Sequence, residues 1–288
     1  MNYIETRKLI LHALYSDNVL HDLLVLKGGN ALSLIYKVGG RTSLDLDFSI
    51  NNDFDNIEDI SNRIEETLKI TFSSHGIFVF DYTFSKKPKK TDQDWWGGYR
   101  AEFKLIPVSL AEKLNYNHNL LQRQSLTIDP GSDKRKYTIE ISKFEYIDTP
   151  THKNLEGVDI KVYPPLLLAA EKLRALLQQH NSYTQISNET KRSRGRDLYD
   201  IWTICDYFAI KLDAHIDTIQ AVFDAKKVDM SLLNDLISVK SLHRETWGDV
   251  ENSVENYLEP YDYYFDYVEI IAKNLYSHWV KNSPGFIE

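Results

Sequence analysis

The chain has 288 residues, 42% of them hydrophobic, with 12 glycines and 8 prolines, which describes a folded protein of one large or two ordinary domains and excludes a disordered one. Its single cysteine, Cys205, excludes internal disulfides and cysteine-clustered zinc centres and points to a reducing cytoplasm, and no apolar run approaches the ~20 residues of a membrane helix. A net charge of −8 excludes a surface that attracts nucleic acid everywhere.

In chain order, the N-terminal MNYIETRKLILHALYSD places charges inside its apolar stretch and offers no small-residue cleavage site, so it reads as a helix and not as a signal peptide. LLVLKGG (23–29) reads as a buried strand ending at two glycines, and ALSLIYKV (31–38) as a short helix. SLDLDFSI (43–50) alternates strictly, the pattern of a strand. DNIEDISNRIEETLKITF (55–72) is the clearest surface helix. Strand patterns follow at 77–84, 99–108 and 136–147. From VYPPLLLAAEKLRALLQQ onward the spacing turns helical, with Pro164 and Pro165 suited to a helix entry. RDLYDIWTICDYF (196–208) sets Leu198, Ile201, Trp202, Cys205 and Phe208 on one face, and 230–281 also reads as helices. These elements predict an α/β domain over 1–160, with a mixed sheet, and a helical domain over 161–288.

Charge is unevenly spread. Between Asp249 and Glu269 stand seven acidic residues and no lysine or arginine, while bases concentrate in SKKPKKT (85–91), DKRKY (133–137) and KRSRGR (191–196). The acidic stretch suits a solvated helix or a partner surface, and the basic ones solvated loops or a local phosphate-binding surface.

The candidate chemistry lies in residues 27–50. On the predicted strand Leu44, Leu46 and Phe48 share one face and Asp45, Asp47 and Ser49 the other, so two carboxylates stand roughly 7 Å apart on one side. Such a pair suits one or two Mg2+ (or Mn2+) ions, which take oxygen ligands and retain phosphates, although two solvated aspartates on an exposed face show the same pattern. Gly28 and Gly29 permit a tight turn at a helix start, where free N–H groups face an anion; Asn30 as an ordinary N-cap is the plainer alternative. A Walker loop and a GxGxxG fingerprint are both absent. A third carboxylate would complete a two-metal site, with Glu140 in YTIEISKF the first candidate and Glu102 in RAEFKL the second. Trp95 and Trp96, beside the basic 85–91 run, offer stacking surfaces for single-stranded ends, or simply loop anchors.

LKGGNALSLIY…RTSLDLDF resembles the first motif of the AbiEii-type nucleotidyltransferase toxins, members of the polymerase-beta-like nucleotidyltransferase superfamily. AAEKLRALLQQ (169–179) resembles the family's lysine-bearing helix and RGRDLYDIW (194–202) its acidic helix; a second AEKL, at 111–114, is a decoy not followed by the acidic block. The resemblance spans residues 20–205. It implies a polymerase-beta-like core in which Asp45 and Asp47 hold metal and Gly28, Gly29 and Asn30 meet the nucleotide phosphates. Asn30 stands where the superfamily usually has serine or threonine. Lys172 would reach the triphosphate, and Asp197 would orient that lysine or contact the nucleotide, with Asp200 the residue most easily confused with it. Plainer roles are a surface Lys172 and an Asp197 paired with Arg194 or Arg196. Glu140 would be ligand or base.

The implied activity is transfer of NMP from an NTP to an acceptor hydroxyl, with RNA, the tRNA 3′ end, as acceptor and a cognate antitoxin as partner. A transferase that modifies a protein hydroxyl, or a nucleotide-binding module that keeps the fold without the chemistry, are the alternatives. A hydrolytic metalloenzyme is disfavoured, since no HExxH occurs among the nine histidines.

Overall fold

The computed structural model describes residues 2–38, 45–91, 93–128, 133–186, 191–254 and 257–282. Contacts divide them into two compact units, one holding residues up to Ile35 and from Asp45 to Val162, the other residues 36–38 and everything described from Tyr163 on.

The first unit opens with α1 (Tyr3–Tyr15), whose N-terminus is closed by a reciprocal capping box between Asn2 and Glu5, and α2 (Asn18–Leu23), capped by Asp17. β1 (Val25–Lys27) leads into a helical turn, α3 (Gly28–Asn30), which continues as a π-helix over Ala31–Tyr36. The sequence predicts an ordinary helix here, since apolar spacing does not separate i→i+4 from i→i+5 bonding. β2 (Leu46–Ser49) and α4 (Ile57–Ser73) follow. Ile60, Ile64, Leu68 and Phe72 fall four apart on α4 and all are buried, which is why that helix lies on the sheet. Each such side chain contributes about 1.5–3 kcal/mol of burial.

β3 (Ile77–Lys87) and β4 (Gly98–Pro107) form a long hairpin with a bulge between Phe80 and Thr83. Two short helices, α5 (Val108–Lys113) and α6 (His118–Gln124), cover its open end, packing around Phe80 and Ile106. β5 (Tyr137–Ser142) returns through the sheet, and β6 (Thr151–Leu155) and β7 (Val158–Val162) form a final hairpin absent from the sequence prediction. The seven strands are ordered β3-β4-β5-β2-β1-β7-β6, with β2–β5 and β1–β7 parallel and the remaining pairs antiparallel. The mixed α/β class is as the sequence predicts. Leu26, Phe48, Ile139, Ala101 and Phe103 fill the core face of the central strands.

The second unit is helical. α7 (Pro165–Leu177) starts on Pro165, and α8 (Gly195–Tyr207) packs against it. α9 (Ile216–Asp224), a 3-10 stretch over Met230–Val239, α10 (Lys240–Arg244), α11 (Trp247–Glu251) and the long α12 (Tyr261–Asn282) complete it. In the acidic segment Asp262 and Asp266 pair with Lys240, and Asp262 also with Arg244. Among the described residues no helix is long and apolar enough to cross a membrane.

Candidate active site

Register across the sheet assembles a row of charges. Lys27 on β1 faces Asp47 on β2, Asp47 faces Glu140 on β5, and Glu140 faces Arg100 on β4. Residues opposite one another in neighbouring strands share a face, so two carboxylates stand side by side between two cations. Glu140 accepts from Arg100 Nη2 at 2.7 Å and from Lys87 Nζ at 2.5 Å. Burial pushes its carboxyl up, but those two cations outweigh burial and hold it below the usual carboxylate range. Glu102 lies on β4, one strand farther from Asp47, and pairs with Lys136 at 3.4 Å.

Asp45 departs from the sequence expectation. Ser43 and Leu44 lie outside the described residues, and Asp45 sits in the bend before β2, not on the strand with Asp47. The cause lies in β1. Its ladder with β2 ends at Lys27–Asp47, because Gly28, at φ +70°, turns the chain away. With no strand to pair with on that side, the Asp45 carbonyl accepts instead from Asn30 Nδ2 at 2.6 Å. Asn30 is fully buried, so its side chain holds the turn that presents Asp45. Burial of the Asp45 carboxyl, then the charge of Glu140, raise its pKa above the ordinary value.

Gly28 has two reasons to be glycine. Its φ is unfavourable for any residue with a Cβ, and a Cβ there would stand 2.6 Å from Asp47 Oδ2. The glycine turn therefore packs directly on one of the two aspartates. Beside Asp45 opens a cleft of about 540 Å3, lined by Asp45, Glu140 and Glu102 and by Arg100, Lys104, Lys134, Arg135 and Lys136. The DKRKY segment thus borders a cavity that mixes cation-binding oxygens with phosphate-binding nitrogens. Trp95 and Trp96 meet edge to face at 5.8 Å, each partly buried.

In the helical unit Lys172, on α7, is no surface lysine. Its side chain is 11% exposed, and Nζ donates to Asp197 Oδ1 at 2.9 Å and to Asp200 Oδ2 at 2.7 Å. Asp197 Oδ2 also accepts from Arg194 Nε at 2.6 Å. Burial pushes the lysine pKa down and the Asp197 pKa up, but pairing wins for both: Lys172 is raised and Asp197 is well below the usual range. The decoy Lys113 is exposed on a short helix. Arg196 pairs with Asp249, and Lys191 Nζ donates to the Gln178 and Tyr183 carbonyls, so the KRSRGR stretch is largely tied within its own unit.

Sequence reasoning missed His243. It is fully buried against the start of α8, its Nδ1 accepting from the Arg194 N–H at 3.2 Å while Nε2 lies 3.3 Å from the Leu176 carbonyl. That pairing fixes the neutral tautomer with the proton on Nε2, and burial pushes its pKa down to about 4. Gly195 is the matching sequence signal, for a Cβ there would stand 2.6 Å from the His243 carbonyl oxygen.

The family model of the nucleotidyl transferase AbiEii toxin, of the type IV toxin–antitoxin system, matches residues 9–267. No curated protein matches the sequence. Among solved structures, a candidate nucleotidyltransferase from H. pylori is similar over 98% of this chain and 96% of its own, at 18% identity and a TM-score of 0.49. JHP933 from Helicobacter pylori is similar over 96% and 91%, at 18% identity and a TM-score of 0.46. The nucleotidyltransferase toxin MenT4 from Mycobacterium tuberculosis H37Rv is similar over 98% and 84%, at 14% identity and a TM-score of 0.44.

Proposed function

This chain belongs to the AbiEii nucleotidyltransferase toxin family, and from that premise we propose that Asp45 and Asp47 are the catalytic centre of a Mg2+-dependent transfer of NMP from an NTP to an RNA hydroxyl, the tRNA 3′ end. The observation that carries this reading is the packing of the Gly28 turn onto Asp47, with Asn30 holding Asp45 and Glu140 in register beside Asp47. The donor set has the all-oxygen chemistry a hard divalent cation takes, and burial and the charge of Glu140 already raise the pKa of Asp45; the three carboxylates would have to close in on the ion, since their oxygens do not converge within 4.8 Å. Asp45 and Asp47 would hold Mg2+ (or Mn2+), with Glu140 as third ligand. Such an ion, when bound, acidifies the acceptor hydroxyl and neutralises charge on the triphosphate.

The residues supply position and charge. In the reaction the acceptor oxygen forms a bond to the α-phosphorus, the bond to the β-phosphate bridge breaks, pyrophosphate leaves, and the hydroxyl proton passes to a base. Glu140, clamped by Lys87 and Arg100, has low proton affinity and suits ligation better than proton transfer. Gly28 and Gly29 bring backbone N–H groups to the nucleotide phosphates. Asn30 serves them through the turn it stabilises. By the family's motif Lys172 would be the residue that reaches the triphosphate, and its 2.9 Å pair with Asp197 supports an orienting role for that aspartate. The basic cleft residues receive the acceptor. A cognate antitoxin is the partner that a type IV toxin calls for.

The test is incubation of the purified protein with Mg2+, each α-32P-labelled NTP in turn and total bacterial RNA. Label in a tRNA-sized band is expected. Label on protein would move the acceptor to a protein hydroxyl, and NTP binding with no transfer to either would favour a binding module.

A further inference from the structure

Outside the candidate active site, three metal-ligating side chains converge at the other end of the sheet. His21 lies on α2, His152 on the edge strand β6 and Asp159 on β7. One ligand atom from each lies within 4.8 Å of the others, an arrangement that, among the described residues, the acidic set of Asp45, Asp47 and Glu140 does not reach. We propose that His21 Nε2, His152 Nδ1 and an Asp159 oxygen form a binding site for a divalent transition ion of the zinc class.

The chemistry of the donors selects the ion. Two imidazoles and one carboxylate suit a borderline cation such as zinc, while Mg2+ prefers an all-oxygen set. Asp159 Oδ2 stands 2.7 Å from His152 Nδ1 and 3.1 Å from His21 Nε2. Ligand atoms around a tetrahedral zinc, each at about 2.0–2.1 Å, are about 3.3 Å apart, so the two pairs made by Asp159 need only a few tenths of an ångström of spreading, while the two imidazole nitrogens already lie within 4.8 Å of each other. His152 and Asp159 are each 51% exposed, which gives an ion access and leaves room for a water as fourth ligand.

The surroundings orient the ligands. The His21 ring lies edge-on to Tyr15 at 5.7 Å, and Tyr15 is buried and anchored through its hydroxyl to the Leu24 and Lys161 carbonyls. When the ion takes His21 Nε2, the neutral imidazole carries its proton on Nδ1, where Asp22 Oδ1 waits at 3.6 Å. His152, bound through Nδ1, likewise carries its proton on Nε2, so each ring keeps one proton. The site ties α2 to the β6–β7 hairpin, making a metal clip at a sheet edge.

This inference is independent of the proposed nucleotidyl-transfer site. The experiment is calorimetric titration of the full chain with ZnCl2, paired with a Co2+ titration read by visible absorption, on wild type, His152→Ala, Asp159→Asn and the double variant Asp45→Ala, Asp47→Ala. Circular dichroism checks each fold, and His152→Asn replaces any variant that fails. The expected result is one zinc per chain in the double aspartate variant, and tetrahedral cobalt bands both there and in wild type. Affinity should fall at least tenfold and the bands vanish in His152→Ala and Asp159→Asn. Equal zinc affinity in wild type and both ligand variants, or no cobalt bands in wild type, would overturn it.

Discussion

Asp45 is a costly residue for the protein to keep. A carboxyl whose folded pKa is raised withdraws stability once ionised, so at neutral pH the metal-free protein carries a penalty that falls away as pH drops through the folded pKa. Asp45→Asn should therefore raise the thermal midpoint in EDTA while lowering transfer activity at least 100-fold. A melt unchanged or lowered would contradict the electrostatic account of this residue. Gly28→Ala should act in the opposite sense, since it forces a Cβ onto Asp47 at a left-handed φ. A loss of about 1–3 kcal/mol in urea unfolding is expected, together with reduced activity. Here the sequence was informative about proximity: the glycines and the aspartates that follow them are brought together in the fold, with Gly28 packed on Asp47. It did not reveal that Asp45 leaves the strand, because the end of a ladder is set by the partner, and β1 stops at Lys27.

At the scale of elements, the clasp between α7 and α8 is a buried ion-pair network. Removing its cation leaves Asp197 and Asp200 buried with reduced compensation, so Lys172→Met should cost about 3 kcal/mol or more of stability. Inactivity in that variant is therefore uninformative by itself. Lys172→Arg keeps the charge and separates the roles: retained stability with a raised KM for NTP would support a triphosphate contact. His243 gives this clasp a pH dependence. Its folded pKa of about 4 lies below the ordinary histidine value of 6.5, so the unfolded chain takes up a proton that the folded one refuses. Stability should fall as pH drops from about 6.5 to about 4, by up to tenfold in the folding equilibrium per unit. Asp197, whose pKa is depressed, adds further loss below about 4. His243→Gln should flatten the slope between 6.5 and 4 in urea titrations, and an unchanged slope would remove His243 as its cause. Strong periodicity made α4, α7 and α8 legible. The β6–β7 hairpin was not, because THKNL is an exposed edge strand without alternation, which leaves the short alternating VDIKV and the Glu156–Gly157 turn, both residues at positive φ, as its signals. The partnership of Lys172 with residues 25 and 28 positions away is tertiary, beyond the reach of local pattern.

For the molecule as a whole, the two units divide the chain's chemistry: the sheet-bearing unit holds the carboxylates and the mixed cleft, and the helical unit holds the buried lysine. A net charge of −8 repels polyanions, so an RNA acceptor depends on local bases. Lys134→Glu with Lys136→Glu, at the cleft edge, should raise the KM for RNA about tenfold and flatten its dependence on salt. An unaltered KM and salt dependence would place the acceptor elsewhere.

The aspartate centre is tested most directly by one comparison: transfer of α-32P label from NTP by wild type and by Asp45→Asn, Asp47→Asn, each confirmed as folded, with Mg2+ and with EDTA. Labelled product is expected for wild type with Mg2+ alone, and none for wild type in EDTA or for the variant in either condition. Equal transfer by the variant, or full transfer in EDTA, would contradict that assignment.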